Sequence, residues 1–164
     1  VNESFSDFTV VAESRSTDQP RIRFGLAAIR NVGAGATREI IDERKREGKY
    51  ADLDDFLRRV RSRDLNKKSI EGLAKSGAFD AMTERNNVLE NLDRILLFVK
   101  EIEAEANNNQ ESLFGGIDGG GGPKLRLVEY PPAAQQQKLS WEKEFLGLYV
   151  TSHPYGAFGT LTIS

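Results

Sequence analysis

The sequence predicts a mainly α-helical fold, with a small N-terminal β-hairpin before the helices and a flexible Gly/Asn-rich linker after most of them. Apolar residues recur at helical spacing through much of residues 26–106, which is typical of packed amphipathic helices. Two β-rich runs, "FTVVA" (8–12) and "RIRFG" (21–25), flank a polar stretch and predict the hairpin. The tract "EANNNQESLFGGIDGGGG" is too polar and glycine-rich to bury a core, so it predicts the linker.

The boundaries of the helices are indicated by capping residues and glycines. Asp52 and Asn66 are expected N-caps, because their side chains can accept hydrogen bonds from first-turn N–H groups. Gly48 and Gly77 are expected helix ends. After the linker, "LRLVEYPP" predicts an extended segment, followed by a last helix within "QQQKLSWEKEFLGLYVTSHPY". The predicted helices before the linker cover residues 26–31, 36–48, 53–60, 67–76 and 83–106.

These elements predict an organisation in four parts. The parts are a β-hairpin over residues 1–25, a helical domain over 26–106, the linker over 107–123 and a segment with the last helix over 124–164. The chain opens on Val1 instead of Met, so we expect it to belong to a longer protein.

The composition excludes several classes of protein. Hydrophobic residues make up 38% of the chain and charged residues 29%, which is typical of a soluble globular protein. There are no cysteines, so a disulfide framework and thiolate metal sites are excluded. No apolar run approaches the roughly 20 residues that a membrane-spanning helix requires.

The charge is distributed unevenly along the chain. Residues 1–20 carry a net charge of −3, residues 21–77 carry +6 and residues 78–164 carry −5. A basic middle between acidic ends is compatible with a polyanionic partner such as nucleic acid. The alternative is a solvated helical face with i,i+4 ion pairs, such as Arg38 with Asp42. The charge distribution alone does not decide between a polyanionic partner and a solvated helical face.

The most specific motif of the folded part is the glycine hairpin in "LAAIRNVGAGATREII". A helix ends, Val32 packs inward, and Gly33 and Gly35 bracket Ala34 before the next helix. Glycine permits positive φ and a close approach of the backbone to another surface. The N–H groups of such a turn and helix start can bind phosphate without reading base sequence. The alternative is a tight turn between two helices that uses glycine only for its geometry.

This arrangement is the helix-hairpin-helix pattern, and it occurs a second time in weaker form. The stretch "LAKSGAFDAMTERNNVL" repeats helix, Ser76-Gly77-Ala78, apolar Phe79 and helix, but lacks the second glycine. We therefore expect the second copy to be a scaffold and the first to make the contact. The fold class predicted is a tandem helix-hairpin-helix bundle.

Three groups that resemble catalytic or metal-binding residues have simpler explanations. The carboxylates of "DLDD" (52–55) suit a helix cap and the positive end of a helix dipole better than a two-metal site. His153 has no cysteine or carboxylate beside it, and Trp141 lies at helical spacing from Phe145, as core residues do. We expect no catalytic residue, no metal and no cofactor.

The order of the segments is similar to one family. "VNESFSDFTV", "IRFGLAAIRNVGAGA", "LDDFLRRV", "LNKKSIEGLAKSGAFDAM", "QESLFG" and "WEKEFLGLYVTSHPY" together resemble the alpha subunits of bacterial replicative DNA polymerase III. The part resembled follows the fingers, contains the tandem helix-hairpin-helix and clamp-binding region, and ends before the OB-fold. The resemblance implies a cytoplasmic DNA-directed DNA polymerase, a nucleotidyltransferase, whose catalytic carboxylates lie upstream. This segment itself is then not an enzyme.

The resemblance also implies two binding sites and their residues. Double-stranded DNA would be held without sequence preference by Val32, Gly33, Ala34, Gly35, Thr37 and Arg38. A sliding clamp would be bound by Gln110, Ser112, Leu113 and Phe114. Together these contacts would support processivity in DNA replication. Other replicase subunits would be partners through the longer protein, and no membrane contact is expected.

Two other classes of function stay open on the sequence. The chain could come from a DNA repair or recombination protein that also uses helix-hairpin-helix units and a clamp peptide. It could instead be a structural spacer that binds neither DNA nor clamp.

Overall fold

A computed structural model describes the backbone of residues 1–11, 21–111 and 123–150. Within these ranges helices predominate, and none of them has both the length and the apolar composition required to cross a membrane. The elements are β1 (Thr9–Val11), β2 (Arg21–Arg23), a 3₁₀ turn (Leu26–Ala28), α1 (Ala34–Glu47), α2 (Leu53–Arg59), α3 (Lys67–Lys75), α4 (Arg85–Glu90), α5 (Leu92–Glu111) and α6 (Gln135–Leu146).

The N-terminal part contains a two-stranded sheet and a short helical turn. β1 and β2 pair antiparallel, with Val10 opposite Ile22, and residues 12–20 between them lie outside the described ranges. The helix predicted over 26–31 is wrong, because only one 3₁₀ turn forms there. The N–H of Leu26 donates to Phe5 O at 2.8 Å, so this backbone group is bonded to the N-terminal segment.

The core is built around aromatic side chains from three successive parts of the chain. Phe56 lies edge-on to Tyr50 at 5.1 Å between ring centroids and to Phe79 at 5.0 Å. Phe56 and Phe79 are fully buried, and the Tyr50 hydroxyl donates to Ile40 O at 2.7 Å. Such pairs stabilise a core beyond the area they bury. The cluster joins the first and second hairpin units into one core.

Both predicted N-caps are confirmed. The Asp52 carboxylate accepts from the Asp55 N–H at 2.8 Å at the start of α2. Asn66 forms a reciprocal capping box with Ser69 at the start of α3. Leu65, just before this cap, and Ile70 are both buried. Local sequence therefore determines these two helix starts.

The long helix predicted from Thr83 to about residue 106 is wrong in its start, in its continuity and in its end, because α5 continues to Glu111. It begins after Glu84, whose side chain accepts from Asn86 N, and it is divided into α4 and α5 at Asn91. Asn91 is buried, and its side chain bonds both Val128 O at 2.8 Å and Val128 N at 2.9 Å. The interruption therefore falls on the residue whose amide binds a distant backbone segment.

Residues 123–150 return to the helices that precede the linker. The N–H of Leu125 donates to Asp54 Oδ2 at 3.0 Å, and Leu125 and Leu127 pack against the core. α6 lies against α3, with Phe145 buried between them. The extended segment and α6 therefore cover one side of the bundle.

Candidate nucleic-acid interface

The glycine hairpin lies at the start of α1. Val32 is buried as predicted, and Gly33 is the N-cap with φ −71°, so the expected positive φ at glycine is wrong. The left-handed residue is instead Asn31, with φ 69°. Asparagine tolerates this conformation better than most side chains do. Helix α1 also begins at Ala34, two residues earlier than predicted, and therefore includes Gly35.

The first turn of α1 presents backbone donors. No side chain caps the helix at Gly33, and no acidic residue lies in its first turn. Thr37 N donates to Gly33 O at 3.0 Å, so the N–H groups before it are the ones without a helical acceptor. Ala34 and Gly35, which carry two of them, are exposed. The positive end of the helix dipole adds to the attraction for an anion at this end.

Thr37 and Arg38 differ in what they can offer to a ligand. The Thr37 side chain is only 2% exposed, and its Oγ1 has no hydrogen-bond partner in the described ranges. This geometry leaves Thr37 no polar group at the surface. Arg38 is exposed and makes no ion pair within the described part of the chain, where Asp42 lies 4.0 Å from Lys45 instead.

The loop between α2 and α3 lies directly beside the hairpin, a contact that sequence reasoning missed. A methyl group added at Gly35 would lie 2.0 Å from Asp64 Oδ2 and 3.7 Å from Ser62 Oγ. Arg61 and Arg63 in the same loop are exposed. The juxtaposition joins residues that are 29 positions apart, and no local pattern in the sequence indicates it.

The hairpin is held from behind by α3 and α6. Arg30 N donates to Phe145 O at 3.0 Å. At Gly72 in α3, a methyl group would meet Arg30 O at 2.5 Å and a Val32 methyl at 3.6 Å. Only a residue without a side chain allows α3 to approach the hairpin this closely. The turn is therefore fixed in position by two helices that follow it in sequence.

The turn of the second hairpin, around Gly77 and Ala78, is in contact with other parts of the protein. Gly77 has φ 79° after α3, and Phe79 is fully buried. The guanidinium of Arg85 is so close to Gly77 that a methyl group there would lie 2.4 Å from it. The Val1 amino group donates to Ala78 O at 2.6 Å. This geometry suits the scaffold role that the missing second glycine predicted.

The residues predicted for the clamp lie at the end of α5 and beyond it. Gln110 falls in the last turn of α5, whereas Ser112, Leu113 and Phe114 lie outside the described residues. The predicted DNA-binding and clamp-binding residues are thus not brought together by the described part of the structure.

The carboxylates of "DLDD" make protein contacts. Asp52 is the cap of α2, Asp54 pairs with Arg58, and Asp55 accepts from Arg59 at 3.0 Å. Across residues 1–11, 21–111 and 123–150, no group of three or more His, Cys, Asp or Glu is arranged to hold a metal ion.

Comparison with known proteins identifies the family. The profile described as "Helix-hairpin-helix motif" matches residues 1–89. The DNA polymerase III subunit alpha of Thermus aquaticus is 38% identical over 154 residues, and those of Borreliella burgdorferi and Deinococcus radiodurans are each 37% identical over 158 and 157 residues. Each alignment covers 94% of this chain but only 12%, 13% and 11% of the relative. The chain therefore belongs to the helix-hairpin-helix motif family and corresponds to a short region of the DNA polymerase III alpha subunits.

Proposed function

We propose that this chain holds double-stranded DNA through the backbone of its first hairpin, without reading base sequence. The observation that carries the proposal is the start of α1, where exposed Ala34 and Gly35 present N–H groups and no side-chain cap is present. A phosphate oxygen is a natural acceptor for such donors. Exposed Arg38 would add a cationic contact one turn further along the same helix.

Duplex binding can be tested by titrating the chain against labelled DNA at several salt concentrations. Arg38→Glu and Gly33→Val should each weaken binding, by about tenfold for the charge reversal, and the affinity should fall steeply with salt. Gly33 has a φ that valine adopts, so its variant should fold. Lys45→Glu is the matched control, because Lys45 lies in the last turn of α1, about 16 Å along the axis from Ala34. A salt-independent affinity would contradict the phosphate account.

We further propose, on the resemblance, that Gln110, Ser112, Leu113 and Phe114 bind a sliding clamp. Leu113 and Phe114 would enter an apolar groove, and each buried side chain contributes roughly 1.5–3 kcal/mol. After ordering costs, a short motif should bind on the order of micromolar. Because the hairpin would hold the same duplex that the clamp encircles, weak binding suffices at high effective concentration and supports processivity.

The clamp proposal has its own experiment. Leu113→Ala combined with Phe114→Ala should abolish binding of purified clamp in calorimetry, while duplex affinity and unfolding temperature stay unchanged. Arg38→Glu serves as the reciprocal control, since it should weaken DNA binding and leave clamp binding intact. Unchanged clamp affinity in the double variant would rule the motif out.

The longer protein is proposed to be a DNA-directed DNA polymerase in which this segment is not catalytic. The identity to alpha subunits over 94% of the chain favours this assignment over a repair or recombination protein. A structural spacer would bind neither duplex nor clamp, so the two titrations also discriminate against that alternative.

A further inference from the structure

We propose that the carboxylate of Asp64, which lies against the first hairpin, repels a phosphate bound there and so sets the affinity of the chain for duplex DNA. The inference rests on the proposed function and names a residue that controls it. Asp64 lies in the loop between α2 and α3 and belongs to neither helix of the hairpin.

The geometry places the Asp64 carboxylate against both glycines of the hairpin. A methyl group on Gly35 would lie 2.0 Å from Asp64 Oδ2 and 3.1 Å from its carboxyl carbon. A methyl group on Gly33 would lie 3.4 Å from the same oxygen. The side chain therefore fills the space that the two glycines leave open, which is where a DNA backbone would have to approach.

The electrostatics favour an anion in this place. Helix α1 has no acidic residue in its first turn and no side-chain cap, so its positive end is not neutralised by its own residues. Asp64 supplies the negative charge from a different segment. A phosphate would be attracted to this end of α1 for the same reason.

The carboxylate is held only loosely. The Asp64 N–H donates to Ser62 Oγ at 3.2 Å, and Asp64 O accepts from the Asn66 amide at 3.3 Å, so the backbone is anchored. In the described ranges the carboxylate accepts no hydrogen bond and forms no ion pair. The side chain can therefore rotate away without losing a hydrogen bond.

Two consequences follow for duplex binding. A carboxylate and a phosphate repel each other, so the charge of Asp64 opposes a phosphate that binds the N–H groups of Ala34 and Gly35. Without this charge, binding should be tighter by about three- to tenfold at low salt. If one more phosphate contact forms, the slope of log affinity against log salt should steepen by about 0.9.

The experiment compares Asp64→Asn and Asp64→Ala with the wild-type chain in duplex titrations at several salt concentrations. Asp64→Asn removes the charge and keeps the shape, whereas Asp64→Ala also vacates the space, so Ala should bind at least as tightly as Asn. Asp42→Asn is the matched control, because Asp42 is exposed on α1, about 12 Å along the helix axis from Ala34. Circular dichroism establishes that each variant is folded.

The outcomes separate this inference from the proposed function. A gain in affinity for both Asp64 variants, larger than for Asp42→Asn and with a steeper salt slope, supports the inference. Equal affinities for Asp64→Asn and Asp42→Asn, or weaker binding by either Asp64 variant, overturn it while wild-type binding keeps the proposed function. If neither the wild-type chain nor any variant binds duplex, the proposed function itself is wrong.

Discussion

Arg85 connects two acidic residues from distant parts of the chain. Its guanidinium donates to Asp80 Oδ2 at 2.8 Å and to Glu142 Oε1 at 2.9 Å. The Glu142 side chain is fully buried and that of Arg85 is 3% exposed, whereas Asp80 is 45% exposed. Loss of Glu142 would leave Arg85 with Asp80 but without its fully buried partner, and weakened pairing of a buried charge is costly in a region of low dielectric constant. At the scale of single residues, this pair fixes α6 to the second hairpin.

Glu142→Gln is therefore expected to lower the free energy of unfolding by about 3 kcal/mol, measured by urea denaturation. The control is Glu144→Gln, which removes the ion pair between Glu144 and Arg30. These side chains are 52% and 64% exposed and lie 3.9 Å apart. Its effect should stay below about 0.5 kcal/mol. Equal losses in the free energy of unfolding for the two substitutions would contradict a larger contribution from the buried pair of Arg85 and Glu142.

In a chain that begins at Val1, the buried amino group provides a pH-dependent contribution to stability. Burial, and secondarily the positive charge of Arg44, lowers its pKa from 8.0 to about 5. The unfolded chain therefore binds the proton between about pH 5 and 8, where the folded chain does not, so the free energy of unfolding rises with pH across this window.

A chain that begins at Val1 should lose at most about 4 kcal/mol of stability between about pH 8 and pH 5, measured by urea denaturation. Acetylation of the amino group keeps one N–H donor and removes the titration. The acetylated chain should show a smaller loss over the same interval. An identical pH dependence of the two chains would exclude the amino group as its source.

At the scale of elements, the features that sequence predicts well are the ones decided within a few residues. Asp52 and Asn66 cap their helices through N–H groups two or three residues away. Asn91, where α4 and α5 are separated, binds Val128, which is 37 residues distant. The contact between Asp64 and Gly35 likewise joins residues that are far apart in the sequence. Apolar periodicity cannot indicate such contacts, because they depend on which segments the folded chain brings together.

The break at Asn91 can be tested with an isosteric pair of substitutions. Asn91→Asp removes the amide donors that bond Asn87 O and Val128 O and places a carboxylate in the buried position of Asn91, so it should cost about 2 kcal/mol. Asn87→Asp keeps the oxygen that accepts from Tyr130 N at 2.8 Å, and should cost less than about 0.5 kcal/mol. Chemical denaturation of both variants measures the difference. Comparable losses would contradict a specific role for the Asn91 amide.

At the scale of the whole molecule, residues 123–150 are bound to most of the preceding helices. Arg58 in α2 donates to Pro123 O, and Glu84 at the start of α4 accepts from Ala133 N at 3.2 Å. Lys75 in α3 lies 5.1 Å from the ring centroid of Phe145. The hairpin is part of the same network, because Arg30 N donates to Phe145 O. These contacts lead us to infer that the segment after the linker folds together with the hairpin bundle.

A chain that ends after residue 122 should therefore be unfolded, whereas a chain that ends after residue 150 should show a cooperative melting transition. The shorter chain lacks the covering side chains of Leu125, Leu127 and Phe145, each worth up to about 1.5–3 kcal/mol of burial. It also leaves buried Arg85 without Glu142. The summed loss is comparable with the roughly 5–15 kcal/mol of a typical domain. Thermal melts followed by circular dichroism distinguish the two chains, and a cooperative transition in the shorter one would mean that the hairpin bundle folds without its C-terminal cover.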